Sequence, residues 1–158
     1  MNPRPRWGSS PRSDGAPQSS TTMEWLTPDE CLALLASVPV GRIVFSSRAL
    51  PAIAPVNHVV HDGSILIRTG AGSKLAAAVR QAVVAFEADD LDPETRTGWS
   101  VVVIGEASRI DDDHEVARLS EVPLRPWGPG RHDHLVRITI AEITGRRITR
   151  GQPAVAAV

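Results

Sequence analysis

Cysteine occurs once in this chain, at Cys31, and tyrosine does not occur at all. A single thiol excludes an intramolecular disulfide and any metal site built on several cysteines, and it fits a reducing, cytoplasmic setting. Cys31 itself reads as a small buried hydrophobe on a helix. Aromatic residues make up only 4%, so the core must be assembled from Val, Ile, Leu and Ala. An excess of either charge is missing too. A formal net charge of −1 gives no electrostatic reason to expect a nucleic-acid partner. No apolar run approaches the ~18 residues that a membrane span needs. The N-terminal arginines are not followed by the apolar segment of a secretory signal.

What is present fits one domain with flexible ends. The 158 residues suffice for a single hydrophobic core. Residues 1–22, rich in Pro, Ser, Gly and Arg, bury too little apolar surface to offset their ordering entropy and read as a disordered tail. Residues 23–150 form the domain, and 151–158 a loose end. Thr27-Pro28-Asp29-Glu30 is a capping box with proline at the first helical position, and the helix should stop before Pro39. A strand follows from Gly41, and an extended segment spans residues 51–60 with Pro51 and Pro55 at edge or bulge positions. His61-Asp62-Gly63 marks a hairpin turn into a strand from Ser64 to Thr69.

A short helix from Lys74, a strand from Ala82 to Ala88 and a polar loop from Leu91 to Gly98 come next. Trp99 to Ile110 reads as a long strand with a bulge or bend at Gly105. Asp111-Asp112-Asp113 caps a third helix, a strand runs from Leu135 to Ile143, and Gly145-Arg146-Arg147-Ile148 begins the end of the chain. About six strands, joined by hairpins or short helices without βαβ order, predict an antiparallel barrel with helices at its ends.

The most informative stretch runs from Ile65 to Leu75, ILIRTGAGSKL. A strand enters a glycine-rich turn and leaves it as a helix, as in a phosphate cradle. It is not a P-loop, because Ser73 separates Gly72 from Lys74 and Leu75 stands where a magnesium-binding hydroxyl belongs. A dinucleotide fingerprint fails for want of a third glycine. Even so, backbone N–H groups, the Ser73 hydroxyl, Lys74 and Arg68 are the donors an anion requires. From chemistry alone the turn serves equally well as a phosphate site or as a tight strand-to-helix connection with Lys74 solvated.

Trp99 and Trp127 read either as packing plugs or as walls for a planar ligand. Trp127, in a Pro/Gly-rich loop, suits the second role better. No metal-ligand set is complete among the five histidines. No Ser/His/Asp or Cys/His arrangement stands out, so chemistry here is expected to reside in an organic cofactor.

Several segments taken together resemble the pyridoxamine 5′-phosphate oxidase-like family of the FMN-binding split-barrel superfamily, in its short bacterial branch. They are Gly41-Arg42-Ile43, Pro55-Val56-Asn57-His58, Arg68-Thr69 with Gly72-Ser73-Lys74-Leu75, Ala85-Phe86-Glu87-Ala88-Asp89, Gly98-Trp99-Ser100-Val101, Gly105-Glu106-Ala107 and Gly145-Arg146-Arg147-Ile148. The resemblance implies a mainly β fold, a six-stranded antiparallel split barrel, forming a homodimer with FMN at the interface. It places Arg68, Thr69, Ser73 and Lys74 at the FMN phosphate and ribityl chain. Pro55, Val56, Asn57 and His58 would run along the isoalloxazine, where His58 either faces the flavin or packs. Trp99 and Ser100 would arrive from the partner subunit or line the interface, and Trp127 and Arg131 would close over the ring.

Catalytic residues are not assigned. Arg131-His132-Asp133-His134 does not substitute for the substrate-binding Arg-x-His pair of true pyridoxamine-phosphate oxidases, so vitamin B6 oxidation is not the expected activity. The leading expectation is an FMN-dependent oxidoreductase of a small organic substrate. Alternatives are a deazaflavin cofactor in the same cleft, or a non-enzymatic flavin- or haem-binding module with His58 or His132 as the axial ligand.

Overall fold

The computed structural model describes residues 20–70, 73–132 and 134–151. Strand β1 (Thr21–Trp25) precedes helix α1 (Pro28–Ser37), then come β2 (Val40–Ser47), β3 (Leu50–His61), β4 (Ser64–Thr69), α2 (Lys74–Ala78), β5 (Ala82–Asp92), β6 (Thr97–Ile110), α3 (Asp113–Leu119) and β7 (His134–Arg150). All strand pairings are antiparallel. The order β7-β4-β3-β2-β5-β6 returns to β7 through the β6–β7 pairing, which closes a six-stranded barrel. This is the expected fold class, with β1 added as a seventh strand on β7.

Period-2 alternation makes the wall. Along β6, Trp99, Val101, Val103, Gly105 and Ala107 point inward while Val102, Ile104 and Glu106 face out. Inside the barrel these residues meet Ile43 and Phe45 of β2, Ile65 and Ile67 of β4, Phe86 and Ala88 of β5, and Val136 and Ile138 of β7. Cys31 and Leu35 from α1, with Leu75 and Val79 from the α2 region, plug the openings. The α1 capping box forms as expected. The Thr27 amide donates to Glu30 Oε2 at 2.9 Å, and the Glu30 amide donates to Thr27 Oγ1 at 3.4 Å. A second, smaller cluster sits outside the wall, where Leu119 and Leu124 cover Leu66, Ile110 and Leu135.

Several expectations need correcting. Strand β1 takes in Thr21 and Thr22, which fall within the expected tail, because they pair with Arg150 and Thr149. Gly151 belongs to the same edge, its amide donating to the Ser20 carbonyl at 2.8 Å. The rest of the N-terminal tail, residues 1–19, and the C-terminal residues 152–158 lie outside the described residues. The expected loop at Leu91–Gly98 narrows to a four-residue turn, with Asp92 paired to Thr97 across it. The last strand does not stop at Ile143 but runs on through Gly145 to Arg150. A Cβ there would stand 2.5 Å from Cys31 Sγ, so the glycine marks where α1 crosses the strand closely. Gly105 does mark a bulge, as the β6–β7 register shifts between Ile104 and Gly105.

Candidate functional site

Strand β3 divides its pairing between two neighbours. Leu50–Asn57 pairs with β2, whereas only His58–His61 pairs with β4. The barrel wall is therefore split beside the first part of β3. Opposite that opening the β4–α2 turn brings in Ser73. A cleft of about 810 Å³ lies there, lined by Ser46, Ser47, Arg48, Leu50, Pro51 and Ala52 on one side and by Ser73, Ala77 and Ala78 on the other. Its volume falls within the range of small-molecule sites, roughly 300–1,000 Å³.

Ser73 is held by two contacts. Its Oγ lies 2.7 Å from Thr69 Oγ1 and accepts the Ala76 amide at 2.9 Å, which makes it the N-cap of α2. Thr69 is buried at the end of β4. With Thr69 donating to Ser73, the Ser73 proton remains available to an oxygen in the cleft. Lys74 opens α2, and its side chain lies outside the described residues, as do Ala71 and Gly72. Arg48, which sequence reasoning did not single out, reaches the same cleft from the β2–β3 hairpin. It sits at φ 53° beside Ala49 at φ 63°. Such a two-residue turn is usually signalled by Asn-Gly or Asp-Gly, and neither is present here.

Arg68 is not part of this cleft. Alternation along β4 sends it to the outer face, beside Leu66 and away from Thr69. There it lines a separate cavity of about 350 Å³ with Leu124, Arg125, Pro126, Gly128, Gly130 and His132. The loop that supplies these residues is tied down at two points. Asn57 Oδ1 accepts the Trp127 amide at 2.9 Å, while Asn57 Nδ2 donates to the Pro39 carbonyl at 3.3 Å. Gly70 packs against the backbone of Arg131, since a Cβ on it would lie 3.1 Å from the Arg131 carbonyl oxygen. Both ends of the Asn57 amide are thus engaged with the protein, while Trp127 is left 73% exposed beside the cavity.

His58 packs rather than facing out. It is 3% exposed, its Nε2–H donates to the Leu35 carbonyl at 2.8 Å, and its ring meets Phe86 edge-on at 4.9 Å. Burial pushes its pKa below the ordinary histidine value, against the weaker opposing effect of the Leu35 bond. Its Nδ1 is buried without a partner among the described residues. The ring therefore presents no nitrogen to the cleft. Pro55 and Val56 continue β3 toward this point, Pro55 exposed on the outer face and Val56 packed on the core. His132 Nδ1 donates to the Gly130 carbonyl at 3.1 Å.

Trp99 and Ser100 stand elsewhere. Trp99 is buried in the barrel core, and Ser100 Oγ accepts from Arg146 Nε at 3.4 Å. On β7, Trp99 pairs with Arg147 and Arg68 with Leu135. At about 3.3 Å per residue, those positions are on the order of 30–40 Å apart along the strand. Neither Trp99 nor Ser100 lines the Ser73 cleft.

Comparison with known proteins places these features in context. A family model described as pyridoxamine 5′-phosphate oxidase matches residues 27–147. The uncharacterized protein Rv0080 of Mycobacterium tuberculosis is 49% identical over 138 residues, covering 84% of this chain and 90% of that protein. Among solved structures, the FAD binding protein from Mycobacterium smegmatis is 40% identical with a TM-score of 0.67, covering 78% of this chain and 98% of its own. An FAD-binding protein from Mesorhizobium loti, 23% identical, has a TM-score of 0.65 over 82% of this chain and 99% of its own. At that identity the likeness is one of fold alone.

Proposed function

This chain belongs to the pyridoxamine 5′-phosphate oxidase family, and from that premise we propose that it is a flavin-binding oxidoreductase holding its cofactor in the β3–α2 cleft. The observation that carries the reading is the unpaired edge of β3 over Leu50–Asn57, opposite the Thr69–Ser73 hydroxyl pair. A strand edge offers a row of backbone donors and acceptors to the rim of a planar heterocycle, with donors missing at Pro51 and Pro55. Ser73 and Lys74, with Thr69 behind them, hold the flavin phosphate. Arg48 brings a further positive charge to the cleft mouth. When bound, the isoalloxazine supplies electron transfer to or from a small organic substrate. The Mycobacterium smegmatis relative is described as binding FAD, which supports a flavin. Pyridoxamine-phosphate oxidation is not part of the reading, because no Arg-x-His pair of the substrate-binding kind stands at Arg131–His134.

The site takes two copies. Trp99 and Ser100 do not line the Ser73 cleft of their own chain, so a homodimer is the means by which they join it. An apolar outer face is available for that pairing. Ile53, Val44, Ala85 and Ile104 sit side by side across β3, β2, β5 and β6.

The decisive experiment titrates purified protein with FMN, FAD and a deazaflavin, read by flavin fluorescence and calorimetry. Ser73→Asp keeps an N-cap side chain on α2 while setting a carboxylate against the phosphate. It is expected to leave the melting temperature nearly unchanged and to weaken flavin binding by about 2–3 kcal/mol. Binding of neither flavin would sink the proposal, and tighter binding of the deazaflavin would change the cofactor. Unaltered affinity in Ser73→Asp would remove the phosphate from this cleft.

A further inference from the structure

The outer cavity beside Arg68 has no role in the cleft, yet its lining is chemically pointed. Two guanidiniums, Arg68 and Arg125, and the imidazole of His132 border it, and among the described residues no carboxylate does. Among the described residues the arginine ion pairs engage Arg42, Arg109, Arg118, Arg137 and Arg147. Arg68 and Arg125 are in none of them. Placing two uncompensated cations at one cavity, one of them half-buried on a strand, is unfavourable until an anion joins them. Guanidinium forks fit phosphate oxygens in a bidentate manner. The cavity also has a flat neighbour: Trp127, between Pro126 and Gly128 of the lining, is 73% exposed on a backbone that Asn57 holds in place. An exposed indole on the loop that carries Arg125 supplies a stacking surface for a base whose phosphates the guanidiniums hold.

We infer that the Arg68–Arg125–His132 cavity is a second, separate anion site that takes the diphosphate of an adenine nucleotide, with the adenine on Trp127. Its position gives it a relation to the cleft. Arg68 and Thr69 are neighbours facing opposite sides of β4, and the loop packs on Gly70, so the two sites flank the same β4–α2 turn. An adenine diphosphate here has two sources: the adenylate half of a flavin dinucleotide, or a nicotinamide dinucleotide acting as the electron partner. The link to electron transfer rests on the flavin reading above; the anion site does not.

The test measures ADP, inorganic pyrophosphate, FMN, FAD and NADPH by calorimetry at about 0.15 M salt, for the wild type, Arg125→Ala and Trp127→Ala. Saturable ADP binding is expected, at least tenfold weaker in Arg125→Ala. Trp127→Ala should weaken ADP while leaving pyrophosphate unchanged. FAD binding at least tenfold more tightly than FMN, with the gap closing in Arg125→Ala and FMN itself unaffected, assigns the site to the flavin dinucleotide. Equal FMN and FAD affinities, with ADP displaced by NADPH, assign it to the electron partner. Absence of saturable ADP binding, or ADP affinity that Arg125→Ala does not change, overturns the inference. Should neither flavin bind, the proposed function falls while the ADP and pyrophosphate arms still decide this site.

Discussion

His58 shows how much one side chain can be asked to do by its surroundings. Its Nε2–H satisfies the Leu35 carbonyl and its edge packs on Phe86, which ties α1 to β3 and β5 through a neutral ring. A proton added at Nδ1 would find no acceptor among the described residues. The folded protein therefore binds that proton less readily than the unfolded chain, whose histidine titrates near 6.5. Stability is fully present above that value and falls as pH drops below it toward the lowered folded pKa. Urea midpoints at neutral pH and near pH 5 should show the loss, and His58→Leu should flatten that part of the profile; an unchanged slope in the variant would assign the acid sensitivity elsewhere. The sequence leaves His58 open between flavin contact and packing because β3 alternation allows either face. Only the seating of α1 over the barrel mouth decides it.

At the scale of elements, the helix starts were legible and the strand edges were not. Thr27 and Asp112 cap α1 and α3 through their own side chains, a contact made within three residues of the cap. Loss of one such cap costs about 1 kcal/mol, so Thr27→Ala should lower stability by that amount in chemical denaturation, with flavin binding retained. Gly105 was equally readable as an irregularity, but its cause is tertiary: a Cβ there would collide with the Thr139 carbonyl of β7 and lie 3.0 Å from Ile138 Cγ2. Backbone cannot give way as a flexible side chain can. Gly105→Ala should cost about 1–3 kcal/mol, seen as a lowered urea midpoint. Asn57 belongs here as well. It reads as a cofactor contact, yet it fastens the 122–132 loop to β3, a partner seventy residues away that no local pattern announces.

For the whole molecule the outstanding question is assembly. Ile53 and Val83 are 64% and 75% exposed, and Trp25 74%, on the outer surface shared by β1, β3, β5 and β6. Apolar side chains in such a contiguous arrangement mark an interaction surface rather than scattered exposure. If two copies pair there, Ile53→Glu combined with Ile104→Glu should yield a monomer in sedimentation and lose most flavin affinity with it. A variant that still sediments as the wild type would move the interface to another face.

Local chemistry determined the capped helices, the alternating strands, the His61–Gly63 hairpin and the glycine-rich turn, because each depends on residues a few positions apart. The antiparallel barrel follows from that alternation and from the short connections. Tertiary structure alone decided which face each strand residue occupies at the splits in pairing. It set Arg68 and Ser73 on two different cavities although five positions separate them, buried His58, and spent Asn57 on a loop. Those outcomes depend on where β3 exchanges one neighbour for another and on what covers each side of β4. Contacts of that range leave no period in the chain.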